Sequence, residues 1–174
     1  DPTLDRSTGF LIPEFSSSSL LGNGIRAPYF IALNDHSDLT IAPFLTTETR
    51  TLELGYRRAF ANGRLNWNTF ISRDEFGPDE TRWGVLADGA FQLKRDYTLT
   101  FDIEASSDRA YLADYKYSNK DRLDSALTIG RTRARDRTEF ELVSIRTLRD
   151  GEDNATQPGL LFDASHALRF VPGP

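Results

Sequence analysis

The chain has no cysteine, no methionine and only two histidines, His36 and His166. Without cysteine it can build neither a disulfide framework nor a thiolate metal site, although this leaves the compartment open. The two histidines do not sit at ligand spacing, so no metal is expected. A chain that starts at Asp1 and lacks methionine reads as a processed or excised piece, from which any signal segment has been removed. No run approaches the roughly 20 apolar residues of a spanning helix, and no signal peptide is visible. Positive charge is not in excess: 21 Lys and Arg stand against 26 Asp and Glu, a net of −5. That balance argues against a nucleic-acid partner, whose footprint would be a basic patch.

What remains is 174 residues, 39% hydrophobic and 27% charged, enough for one domain with a sizeable core. Helical periodicity is scarce and period-two alternation is everywhere. In Tyr97–Ala105, "YTLTFDIEA", the residues Tyr97, Leu99, Phe101, Ile103 and Ala105 point one way and Thr98, Thr100, Asp102 and Glu104 the other. In Thr51–Phe60, Leu52, Leu54, Tyr56 and Phe60 share a face interrupted by Arg58. Leu65, Trp67 and Ile71 oppose Asn66, Asn68 and Ser72; Trp83, Val85, Ala87, Phe91 and Leu93 oppose Asp88 and Gln92. Leu39, Ile41 and Leu45 alternate with Thr40 and Thr46, and noisier candidates follow at Leu123–Arg131, Phe140–Leu148 and Leu160–Phe170.

Short turns alternate with longer polar loops. "ANGR" at Ala61–Arg64 carries Asn-Gly, a strong hairpin signal because both residues tolerate positive φ. "KRDY" at Lys94–Tyr97 is short, whereas Arg73–Arg82 and Arg149–Gly159 are long and acidic. Ser106–Arg122 is the longest break and holds Tyr111, Tyr115 and Tyr117. The spacing predicts an all-β antiparallel meander of about ten strands. Strands of roughly 9–11 residues with one apolar and one polar face fit the wall of an outer-membrane β-barrel. The alternation also fits a soluble β-sandwich or small barrel binding an apolar ligand or a protein partner. The aromatics Tyr56, Phe60, Trp67, Trp83 and Tyr97 would form membrane-interface girdles in the first case and core in the second.

Catalysis is not expected. His36 lies in the polar turn "NDHSD". The acidic cluster Asp74, Glu75, Asp79 and Glu80 lacks the ligand spacing of a calcium loop and reads as hydrated, as do Asp150, Glu152, Asp153 and Asn154. Asp102 and Glu104 share a strand face and have the residue types of a glycosidase pair. Their face elsewhere holds Asn, Gln, Thr and Arg, which reads as wetted lumen. No catalytic residue, cofactor or metal ligand is assigned.

Two early strands each contain a proline: Pro13 in "GFLIPEF" and Pro28 in "IRAPYFIAL". Proline has no N–H for a sheet ladder and belongs on an edge or at a bulge, where it also blocks aggregation. The stretch Ser7–Thr47, with Gly9–Pro13, Pro28–Phe30 and Asp38–Phe44, resembles the start of the barrel in the LptD family of lipopolysaccharide-assembly proteins (organic solvent tolerance proteins). Tyr97–Tyr115 resembles that family's strand followed by a Ser-Asp-x-x-Tyr turn. The likeness covers most of the chain in order and loosens after about Leu123.

The resemblance implies a fragment of a larger protein: residues 1–8 a linker, 9–174 the first strands of an incomplete LptD-type barrel. A periplasmic jellyroll, the later strands and disulfide-forming cysteines would lie outside it. It further implies location in the outer membrane of a Gram-negative bacterium and partners in lipopolysaccharide, an LptE-type plug lipoprotein and a periplasmic Lpt bridge reached through the jellyroll. The function implied is insertion of lipopolysaccharide into the outer leaflet through a lateral gate where the first and last strands meet, which Pro13 and Pro28 in the first two strands weaken. A piece of wall with open edges and an apolar face is expected to form homo-oligomers when isolated.

Overall fold

The computed structural model describes residues 7–77, 79–156 and 158–170; most of the expected linker, residues 1–6, lies outside them. Twelve strands follow in order: β1 Gly9–Phe10, β2 Glu14–Ser18, β3 Gly22–Arg26, β4 Tyr29–Asn34, β5 Ser37–Thr46 and β6 Arg50–Phe60. Then come β7 Gly63–Arg73, β8 Thr81–Gln92, β9 Thr98–Ser106, β10 Arg122–Thr132, β11 Asp136–Thr147 and β12 Leu160–Leu168. All pair antiparallel in one sheet, and β5 to β12 run as consecutive neighbours. Among the described residues β12 does not pair back to the first strands, so the sheet is open. The expected count of about ten is met in an instructive way. Two continuous ribbons, β1 with β2 and β3 with β4, are each interrupted at a proline-containing segment, and eight unbroken strands follow.

The connections divide by end. At one end they are residues 35–36, 61–62, 93–97 and 133–135; at the other, 19–21, 47–49, 74–80, 107–121 and 148–159. The Asn-Gly hairpin forms, with Phe60 facing Gly63 across residues 61–62, but not for the expected reason. The described positive-φ residues are Arg95, Asp96, Lys116, Gly22 and Gly151, none of them in that turn. Gly63 is required instead by close approach: a Cβ there would sit 2.3 Å from the Ala90 carbonyl oxygen.

Cross-strand register turns the alternation into continuous rows. One row runs Leu39, Tyr56, Trp67, Ala87, Ile103; another runs Leu65, Gly89, Phe101, Leu127, Leu142, Phe162. Large side chains on this face are exposed: Trp67 is 40%, Trp83 43% and Phe162 70% accessible. A soluble sandwich would bury that face, so the core is in the wrong place for one. The buried cluster lies on the other face. There the loop 107–121, carrying the short helix α1 Tyr111–Asp114, folds back onto the sheet. Tyr111, Leu112 and Tyr115 cluster with Leu21, Phe44 and Leu123, and Phe70, Leu86 and Tyr117 pack against them.

Candidate functional site

The polar face is cross-linked along its own rows. Arg57 Nε donates to Asp38 at 2.9 Å, and Asn66 Nδ2 donates to Asp88 at 3.1 Å. Glu104, one of the paired carboxylates of β9, accepts from Lys120 Nζ at 2.5 Å and so fastens the end of the loop. Asp74, expected to be hydrated, is instead fully buried. It accepts from the Tyr115 hydroxyl at 2.5 Å and faces Arg82 at 3.5 Å. The reason is that Arg82, 1% accessible, needs counter-charge: it also donates twice to Asp108 at 2.7 Å and to Asp114 at 2.9 Å. Tyr111 bonds Ser72 at 2.7 Å, and Ser72 bonds Thr51 at 2.8 Å. Burial opposes ionisation of Asp108, but hydrogen bonds from Arg82 and Ser107 outweigh it and bring its pKa down to about 2. Burial, reinforced by the Glu53 charge, pushes the Tyr117 phenol upward, so it stays a donor. The three tyrosines of the longest break were the sequence signal for this inward fold; nothing marked Arg82, which stood at the end of a polar loop.

The outer aromatics occupy different heights. Tyr56 and Trp67 face each other near mid-strand. Trp83 is at the long-loop end of β8, and Tyr97 at the short-turn end, where Leu93 N–H donates to its carbonyl at 2.7 Å. Trp83 and Leu93 are ten positions apart. At roughly 3.3 Å per residue and a tilt of about 35–45°, that is about 25 Å of height, the thickness of an outer-membrane apolar band. Charge on this face lies at both rims: at the short-turn end Arg58 stacks on Phe60 at 4.6 Å and Arg131 on Tyr97 at 4.9 Å, and at the long-loop end Arg50 faces Arg73.

The first seam is built differently from the rest of the sheet. Gly9 faces Phe30 and Phe10 faces Tyr29; past the break, Glu14 faces Arg26 and Ser18 faces Gly22. Paired residue numbers add to 39 before the break and to 40 after it, so the first ribbon carries one extra residue, a bulge at Leu11–Pro13. Leu11 N–H donates to the Pro28 carbonyl at 2.8 Å. Proline cannot return that bond. Likewise Ala27 N–H donates to Pro43 at 3.1 Å without a reciprocal bond. The sequence reading missed this third proline. The seam keeps two pairs plus five, against eleven between β6 and β7. On the other side, β3 and β4 hold one register against β5 from Gly24 to Ala32 and shift only between Ala32 and Asn34, so the Leu11–Pro13 bulge has no counterpart there.

Residues 80–168 match the family model described as LPS transport system D, LptD. The chain belongs to the LptD family. It is 31% identical over 131 residues to the LPS-assembly protein LptD of Idiomarina loihiensis, covering 70% of this chain and 16% of that protein. To the LptD of Cupriavidus necator it is 32% identical over 123 residues, covering 66% and 14%; to that of Legionella pneumophila, 30% over 131 residues, covering 64% and 15%. The chain thus spans about a sixth of the length of these LptD relatives. The family match reaches Leu168 and includes the stretch after Leu123, where the resemblance read from the sequence alone had loosened.

Proposed function

We propose that these strands, residues 9–170 of a longer LptD-type chain, form the leading wall of an outer-membrane barrel that delivers lipopolysaccharide to the outer leaflet. In this reading the protein is an assembly component rather than an enzyme. The supporting observation is the two-sided wall: exposed apolar rows on one face, hydrogen-bonded polar rows on the other, and strands of nine to twelve residues from β5 onward. Short turns lie toward the periplasm and the long loops toward the exterior, as the asymmetry of such barrels requires. Trp83 and Tyr97 mark the two interfaces, and Tyr56 and Trp67 lie between them.

The lateral gate lies where the first and last strands of the complete barrel meet, and the weak first seam borders it. Pro28 removes one ladder bond, and Pro13 sits in the bulge where pairing is broken. A net ladder bond is worth about 0.5–1.5 kcal/mol, so parting this seam costs a few kcal/mol less than parting a full ladder. A gate needs only such a small gap between closed and open states. An LptE-type plug, the periplasmic bridge and lipopolysaccharide itself are the partners this reading implies. Pro13→Ala and Pro28→Ala in the full-length protein should tighten the seam and impair export, read as increased outer-membrane permeability to large antibiotics. Unchanged permeability in both variants would remove the gate assignment.

A further inference from the structure

We infer that the outer face of the wall carries a seat for one resident lipopolysaccharide molecule. An apolar notch at the β9–β10 break takes an acyl chain, and Arg146 above it takes a lipid phosphate. This rests on the membrane-wall reading, and it concerns a lipid standing beside the barrel, not one in transit. The notch follows from the ladder. Pairing of β9 with β10 ends at Asp102 and Ala126. Just beyond, Ser125 faces Ser144, which in turn faces Leu160 of β12. Neighbouring outward positions carry Phe101, Leu127 and Leu142, so two serines side by side leave a gap among larger side chains. The result is a cavity of about 370 Å³ whose walls include Trp67, Phe101, Ile103, Leu127, Leu142 and Leu160. The Ser125 hydroxyl is already engaged with the Glu104 backbone, so it does not make the notch polar. An empty notch would forfeit dispersion contacts that a flexible hydrocarbon chain restores.

Charge identifies the occupant. Arg146 lies two positions beyond Ser144 on the same face of β11, one residue from the long-loop end of the strand. It is half-buried. Its Nη1 donates to the Ser106 carbonyl at 2.6 Å, a neutral partner that holds the side chain without neutralising it. Among the described residues no carboxylate pairs with it. Arg131 and Arg73 differ: they pair with Asp136 at 2.6 Å and with Glu80 at 3.0 Å. A fixed cation lacking counter-charge at the edge of hydrocarbon favours an anionic oxygen there, and a guanidinium suits phosphate. Four positions separate Arg146 from Leu142, about 10 Å of height on a tilted strand, so a phosphate at Arg146 lets its chain run down into the notch. The wall reading puts the long-loop end in the outer leaflet, where the barrel delivers lipopolysaccharide. An inner-leaflet phospholipid would place its phosphate at the opposite rim.

Photo-cross-linking of the full-length protein in the outer membrane tests this. Phe162 and Leu52 are both outward and are each the third residue of their strand from the long-loop end. Phe162 faces Leu142 beside the notch, whereas Leu52 faces Ile71 away from it. Phe162→p-benzoylphenylalanine should capture lipopolysaccharide severalfold more than Leu52→p-benzoylphenylalanine. Adding Arg146→Gln, which keeps a donor for Ser106, should cut capture at 162 at least about fivefold, the loss of one charged hydrogen bond, and leave capture at 52 unchanged. Adding Ser144→Phe, which fills the notch at an exposed position, should act likewise. Equal capture at 162 and 52, or unchanged capture at 162 in either variant, overturns the seat. In vesicles of lipopolysaccharide and phosphatidylglycerol, equal capture of the two lipids at 162 overturns it as well. Absence of capture at both positions would instead overturn the wall reading, so the two failures are told apart.

Discussion

Replacing Arg82 with methionine removes one cation from three carboxylates while keeping the length and apolar stem of the side chain. In the native fold the guanidinium makes two hydrogen bonds to Asp108 at 2.7 Å and one to Asp114 at 2.9 Å, with Asp74 at 3.5 Å. Asp74 is fully buried and Asp108 is 12% accessible, so neither charge is screened by water. Breaking a buried pair by removing one partner costs about 3–5 kcal/mol, because the other charge is left uncompensated. That cost falls on the attachment of loop 107–121, which Arg82 holds through Asp108 and Asp114, and not on the β6–β8 ladders. At 1.36 kcal/mol per tenfold, the opening equilibrium of the loop should shift by roughly 10²–10⁴-fold. Limited proteolysis and hydrogen exchange of residues 107–121 in the full-length protein read it directly. Arg73→Gln is the control: its pair with Glu80 is exposed at both partners, and such pairs contribute at most about 1 kcal/mol. If Arg82→Met leaves the loop as protected as Arg73→Gln does, the clamp is not what holds the loop.

The same clamp sets a pH response. The folded pKa of Asp108 is depressed to about 2, below the ordinary carboxylate value of about 3.9, so its contribution is complete above that ordinary value and is lost as pH falls through the folded one. The near-ultraviolet tyrosine signal should hold steady down to about pH 4 and decline between about pH 4 and 2, and Asp108→Asn should remove that part of the decline. Adjacent substitutions separate a membrane wall from a soluble core. Leu142→Arg on the exposed apolar row should cost about 2–4 kcal/mol of folding free energy in bilayers, whereas Glu141→Arg on the polar face should cost far less. Urea titrations of the two variants in lipid vesicles compare them, and equal costs would contradict the assignment of faces.

Much of the wall was legible because strand periodicity is rigid: once Tyr97–Ala105 alternates, its faces are decided, and neighbours inherit them through register. The ribbon count was legible for the same reason, and the breaks within the first two ribbons followed from proline chemistry. Less legible were contacts between segments distant in sequence. Arg82 sits in an acidic stretch and looked solvated; only the return of Asp108 and Asp114 on loop 107–121 makes it the centre of a buried cluster. Pro43 looked like an ordinary member of "DLTIAPF" until Ala27 was seen to donate to it. The Asn-Gly signal located a hairpin correctly through the wrong physics, since Gly63 serves a close backbone approach.

The first seam is not the only place where the ladder thins. Between β9 and β10 the register covers five pairs, ending at Ala126 opposite Asp102. There the missing bonds are replaced. Ser125 Oγ accepts from the Glu104 N–H at 3.0 Å and donates to the Glu104 carbonyl at 3.1 Å, so a side chain stands in for the absent strand partner. Lys120 grips the Glu104 carboxylate, and Arg146 donates to the Ser106 carbonyl at 2.6 Å. Every one of these substitutes is short and at least half buried or charge-assisted, which makes them strong. At the first seam the substitutes are the Leu11 N–H to Pro28 bond at the bulge, an exposed bond from the Ala32 N–H to Thr8 Oγ1 at 3.0 Å and an exposed ion pair to Glu14. Strain applied around the wall would therefore release at Pro13 and Pro28 before it reached β9–β10, and the β5–β8 ladders beside the seam would carry the load as a stiff hinge.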